Sequence, residues 1–246
     1  MTCLGSATVL FFRKKMSGSF QQLSIGFAAG VMIAASVWGL LIPAIEETEA
    51  RGGIGWIPAA IGLVIGVLFM LGLDKLIPHL HPQSGTREGP AVNTKRSTLL
   101  FFAVTLHNIP EGMAAGLVFA LAMQVQDAAL YMSALALAIG IGIQNFPEGA
   151  AVSLVLRQDG LSAKKAFTLG CLSGVVEPIF GFMAVLLAAV ILPIMPWLLA
   201  FTAGAMIYVV VEELIPEACV EGHSHLGTMS FVAGFVMMMV LDVTLG

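Results

Sequence analysis

Charge is scarce in this chain. Of its 246 residues 11% are Asp, Glu, Lys or Arg, 58% are hydrophobic, and the mean hydropathy is +0.96. Such a balance excludes an ordinary soluble domain. Cysteine is also scarce: Cys3, Cys171 and Cys219 are odd in number and lack CxxC spacing, which excludes a disulfide framework or a thiolate cluster and leaves them as small packing residues. No GxxxxGK[ST] loop is present to couple ATP, and no HExxH helix to hold a hydrolytic zinc. No run of basic residues makes a footprint for nucleic acid, which is excluded as a partner.

What the chain has is apolar length. A bilayer is crossed by roughly 20 apolar helical residues, and seven stretches qualify: 22–43, 56–77, 98–123, 128–155, 166–191, 197–216 and 226–245. Residues 1–12 are apolar but too short to span. No basic segment precedes them and no small-residue cleavage site follows, so they read as a short or truncated first helix rather than a signal sequence. The expectation is an all-α integral membrane protein: one transmembrane domain, 1–246, built as an eight-helix bundle in the lipid bilayer. Basic residues set its orientation. With both termini outside, Arg13, Lys14, Lys15, Lys75, Arg87, Lys95, Arg96, Arg157, Lys164 and Lys165 all fall on the inner side, and only Arg51 falls outside. The loop 79–95 is then cytoplasmic, and Trp56, Tyr131 and Trp197 sit at outer helix ends as an aromatic belt. A multi-pass protein of the plasma (inner) membrane is expected.

Two near-copies of one hexapeptide lie within this apolar background: His107-Asn108-Ile109-Pro110-Glu111-Gly112 and Gln144-Asn145-Phe146-Pro147-Glu148-Gly149. Ionisable residues at membrane depth are costly and mark functional sites. Each proline removes a helical hydrogen bond and frees the carbonyl one turn back, at Leu106 or Ile143, while the following glycine admits another helix. The copies fall on successive spans running in opposite directions, as an inverted repeat requires, and transporter sites lie at such repeat interfaces. Counting about 1.5 Å per residue from the inner basic clusters places Glu111, Glu148, Glu177 and Met32 all about 15–19 Å deep. Within the helices, His107, Asn108 and Glu111 share one face, and Gln144, Asn145 and Glu148 repeat it. Three carboxylates meeting in a low dielectric repel unless protons or a divalent cation neutralise them. With one imidazole, three amides and a thioether, the donor set suits Zn²⁺ better than Mg²⁺ or Ca²⁺. Two metal positions can share Glu111 and Glu148: one adds His107, Gln144 and Met32, the other Asn108, Asn145 and Glu177. The amides Asn108, Gln144 and Asn145 serve either as ligands or as hydrogen bonds between helices.

HNIPEG on the fourth span, QNFPEG on the fifth, VVEP on the sixth and AAGVM on the second resemble the ZIP (ZRT/IRT-like) metal-transporter family, most like its GufA-like branch. The resemblance covers essentially the whole chain, from FFRKK to MIYVVVEELIPE. It implies an eight-helix fold and passage of zinc and related divalent ions, with Cd²⁺, Fe²⁺ and Mn²⁺ as further candidates, into the cytoplasm through a two-metal site at mid-membrane. No organic cofactor is implied, and a homodimer is left open. The family often has histidine where this chain has Gln144, which softens the first metal position.

The expected activity is therefore secondary transport, not enzymatic catalysis. An intramembrane metal-dependent hydrolase is the rival from another class, and a metal sensor without flux is the third reading. Glu46, Glu47 and Glu49 form an outer acidic cluster. Glu212 and Glu213, with the loop histidines His79, His81, His223 and His225, are candidates for handling metal on the inner side.

Overall fold

The computed structural model describes residues 1–11, 18–76, 79–80, 87–88, 96–158, 160–219 and 225–245. Thirteen α-helices run along these residues: α1 (Thr2–Ser6), α2 (Thr8–Phe11), α3 (Gly18–Ala34), α4 (Ile42–Ala50), α5 (Trp56–Leu76), α6 (Arg96–Val125), α7 (Ala128–Gln158), α8 (Ala163–Ser173), α9 (Val176–Leu186), α10 (Ala188–Ile191), α11 (Met195–Val209), α12 (Ile215–Cys219) and α13 (Leu226–Leu245). Between α5 and α6 a two-residue antiparallel pair forms, β1 (His79–Leu80) against β2 (Arg87–Glu88).

The expected spans are present, with differences at their ends and middles. The second continues without a break from Gln22 to Ala50, so Glu46, Glu47 and Glu49 ride on its terminal helical turns rather than in a loop. The fourth and fifth become α6 and α7, of 30 and 31 residues, about 45 Å each at the α-helical rise. Both stay helical through their prolines, Pro110 and Pro147. Span 166–191 is not one rod: α8 stops at Ser173, Gly174 and Val175 form a turn, and α9 starts at Val176. Hydropathy is continuous across that break, which is why an apolar-length reading runs through it. The signal was chemical: Ser-Gly at 173–174 stops one helix, and Pro178 fits the first turn of the next, where its missing N–H has no partner to lose.

A second duplication organises the helices around the motif pair. Gly26–Ile33 reads GFAAGVMI and Ala200–Ile207 reads AFTAGAMI, and each is followed by Leu-Ile-Pro, at 41–43 and 214–216. In both copies the turn before the proline widens into a π-helix, Ala35–Leu41 and Val210–Leu214. Ile42 donates its N–H five residues back to Val37, and Ile215 does the same to Val210. Proline supplies no N–H and its ring crowds the carbonyl four residues earlier, so the preceding turn opens. Packing repeats as well. A Cβ on Gly30 would collide with Phe231 of α13, and one on Gly204 with Leu63 of α5. Phe27 presents its carbonyl to Gly234, and Phe201 presents its own to Gly66. The copies point in opposite directions, because Arg51, just beyond α4, donates to the carbonyl of Leu192, just before α11. The paired helices α3–α13 and α5–α11 therefore form an inverted repeat. It flanks α6, α7 and α9, with a core that includes Leu117, Leu121, Leu137, Met206 and Met238.

Candidate metal site

Helix α6 brings Asn108 and Glu111 inward, α7 brings Gln144, Asn145 and Glu148, and α9 brings Glu177 in its first turn. Asn108, Glu111, Gln144 and Asn145 are buried, Glu111 to 1% exposure, while Glu148 and Glu177 are half-buried. The glycine of each motif works as its pattern suggests. A Cβ on Gly112 would strike the backbone of Glu177, and one on Gly149 the backbone of Thr2. The first contact presses α6 onto α9 and the second presses α7 onto α1, closing the walls around the carboxylates.

Hydrogen bonds tie these walls together in a consistent sense. Gln144 Nε2 donates to Glu111 Oε1 at 2.7 Å, Asn145 Nδ2 donates to Glu177 Oε2 at 2.5 Å, and Asn108 Nδ2 donates to the carbonyl of Ser173 at 2.9 Å. Each partner is a carboxylate or carbonyl, which accepts, so the amide orientation follows from the network. Asn108 caps the end of α8 where the helix breaks, and such a terminal carbonyl needs an outside donor. With their N–H groups engaged, the amides leave their oxygens over. Asn108 Oδ1, Gln144 Oε1, Asn145 Oδ1 and Glu111 Oε2 are buried and have no hydrogen-bond partner among the described residues. Buried polar atoms are nearly always partnered, so four orphaned acceptors on two facing helices are an exception that needs a cause. They make this part of α6 and α7 electronegative and oxygen-rich, with Glu148 and Glu177 close enough to Glu111 to act on its charge. A cavity of about 580 Å³ between α6, α7 and α9 reaches Glu111, Asn145 and Glu177.

Of the eight expected ligands, Gln144 is thus joined to Glu111 and Asn145 to Glu177, while Asn108 is joined to the backbone of Ser173. Glu148 stands one helical turn beyond Gln144. Met32 is buried among the apolar residues of the core. His107 belongs to α6, one turn before Glu111, and its side chain lies outside the described residues. Among the described residues no three His, Cys, Asp or Glu side chains close into a ready-made metal cluster. The carboxylates Glu111 and Glu177 and the amide Asn145 line the pocket instead. Sequence reasoning missed Thr2, whose Oγ1 donates to Glu177 Oε1 at 3.2 Å. Threonine in an apolar stretch is too ordinary to carry a signal.

Residues 91–242 match the family model described as ZIP zinc transporter. Human zinc transporter ZIP11 is 39% identical, with 100% of this chain and 94% of that protein covered. Zinc transporter GufA of Myxococcus xanthus is 39% identical with the same coverage. Zinc transporter ZIPB of Bordetella bronchiseptica is 39% identical over 100% of this chain and 78% of that protein. The chain belongs to the ZIP zinc transporter family. Both hexapeptides of this ZIP chain fall inside the matched region, as do the α8–α9 break and Glu177.

The secondary candidates are less gathered. Glu47 pairs with Arg51 at 2.6 Å, which takes it out of any free acidic cluster. Glu212 is exposed and Glu213 half-buried, both on the π-helical segment before α12. His225 is exposed, whereas His81, His223 and the side chain of His79 lie outside the described residues. Asp242 on α13 is buried at 4% exposure, with neither carboxylate oxygen hydrogen-bonded among the described residues.

Proposed function

We propose that this chain carries zinc across the membrane, binding it in the pocket between α6, α7 and α9. The observation that carries this reading is the set of buried amide and carboxylate oxygens on α6 and α7 that have no hydrogen-bond partner among the described residues. Oxygen acceptors facing inward in a low dielectric attract a divalent cation and repay its lost hydration. Relatives named zinc transporters, matched over the whole chain, support zinc as the cargo.

Within that reading the ligands form two positions that share Glu111 and Glu148. His107, Gln144 and Met32 complete one, and Asn108, Asn145 and Glu177 complete the other. Cd²⁺, Fe²⁺ and Mn²⁺ are competing cargoes, ranked by how far imidazole and thioether outweigh oxygen in the first position. The basic residues favour an orientation in a plasma membrane with Arg51 outside and Arg157, Lys164 and Lys165 inside, and the family resemblance supports movement from the outer face to the inner one. The chain acts as a carrier and not an enzyme: duplicated ligands on opposed helices suit a passing ion better than a retained one with an open water position. Metal titration into purified protein tests the site. Up to two Zn²⁺ per chain should bind, and Cd²⁺, Mn²⁺ and Fe²⁺ should compete. Protein that binds no zinc, or binds it unchanged after Glu111→Gln, would refute the assignment.

A further inference from the structure

Cys3 and Cys171 look unrelated in sequence, yet the fold sets them side by side. Helices α1 and α8 meet at two close contacts: a Cβ on Gly174 would collide with the Thr2 side chain, and one on Gly170 with Ser6 Oγ. Thr2 and Ser6 are one turn apart on α1, and Gly174 caps the end of α8 one turn after Gly170, so two glycines form a tight antiparallel seam. Cys3 follows Thr2 and Cys171 follows Gly170, which puts each thiol between the two contacts along its own helix. The two thiols are close enough to act on each other, and both are free, Cys3 exposed and Cys171 half-buried. A disulfide requires Cα atoms within about 7 Å, and backbones that approach through glycine favour such closeness. The seam also adjoins the metal pocket. Thr2 hydrogen-bonds Glu177, and Gly174 lies in the turn that starts α9.

We propose that Cys3 and Cys171 are a reversible dithiol–disulfide pair, oxidised by organic hydroperoxides, whose closure fastens α1 to α8 and slows metal passage. One sulfur attacks the peroxide oxygen, breaking the O–O bond, releasing an alcohol and leaving a sulfenic acid. The second sulfur attacks the first, forming the S–S bond and expelling water. Two S–H bonds and one O–O bond are broken; one S–S and two O–H bonds are made. The thiols are oxidised and the hydroperoxide is reduced. A small-molecule thiol reverses the reaction by exchange. The cross-link holds α1 in place against the elements that position Glu177, and its effect on passage rests on the transport reading above.

Cumene hydroperoxide applied to the full chain in proteoliposomes tests the pair. Proteolysis and mass spectrometry should find the Cys3 and Cys171 peptides joined, two hydrogens lighter than their sum. Zinc uptake should fall several-fold and recover with reductant. Cys3→Ser and Cys171→Ser should each take up zinc like the reduced protein and ignore the peroxide. Two results would overturn the proposal: no joined peptide at a dose that oxidises Cys219, or joined protein that takes up zinc at the reduced rate. The joined peptide is read without zinc, so reduced protein that moves no zinc counts against transport alone, and the mass still decides the pair.

Discussion

At the scale of single residues, the amides and carboxylates of the pocket have separable roles. Glu111 accepts from Gln144, keeps one buried oxygen without a hydrogen-bond partner, and lies near Glu148 and Glu177. Glu111→Ala and Glu148→Ala are each expected to abolish zinc uptake, because in the proposed site both carboxylates serve both metal positions. Glu177→Ala should be milder, since one position keeps its full set; finding it worse than Glu111→Ala in uptake assays would reverse that ranking. Gln144→His should alter the metal response rather than end it. Imidazole is a stronger donor to Zn²⁺ and Cd²⁺ than an amide oxygen, and it titrates near neutral pH. Zinc titrations at two pH values should show tighter binding in Gln144→His and a steeper loss below about pH 6.5. Unchanged affinity would leave Gln144 as a bridge from α7 to Glu111. Metal must displace protons from its ligands, so acid should weaken wild-type binding too.

At the scale of helices, the glycines of the two motifs set the spacing of the walls. Gly112→Leu drives a side chain into the backbone of Glu177 and should cost about 1–3 kcal/mol by overpacking. A methyl group added to Gly72, on α5, would meet nothing within 4 Å, so Gly72→Ala should be neutral or gain about 0.5–1 kcal/mol from helix propensity. Thermal unfolding in detergent measures both, and comparable losses would mean that contact with Glu177 does not set the cost. Most helices were legible in the sequence because apolar length is set by bilayer thickness. The inward faces of α6 and α7 were legible because ionisable residues there have few other uses. The α8–α9 break was not, since Gly174 and Pro178 interrupt hydrogen bonding without interrupting hydropathy. The GFAAGVMI and AFTAGAMI copies also escaped notice, because small apolar residues repeat in every membrane helix. The matching π-helices and the matching contacts of Gly30 and Gly204 give that likeness structural content. Cys3 and Cys171, read as separate packing residues, are partners because two glycines bring α1 and α8 together.

At the scale of the whole molecule, an inverted repeat of paired helices flanks the buried amides and carboxylates of two near-copies of one motif. The basic residues predict the sidedness. In a background with all three cysteines changed to alanine, Ala50→Cys should react with an impermeant maleimide outside intact cells. Lys164→Cys should react only after the membrane is opened, and the reverse pattern would invert the orientation. Both positions are exposed, so failure to react is not a matter of burial. The most direct test of zinc passage through the α6–α7 pocket is the initial rate of Zn²⁺ uptake into proteoliposomes, wild type beside Glu111→Gln. The substitution keeps the shape of the side chain and removes its charge. Saturable uptake by wild type and background uptake by Glu111→Gln is the expected result. Equal rates in the two proteins, or no saturable uptake by wild type, would contradict it.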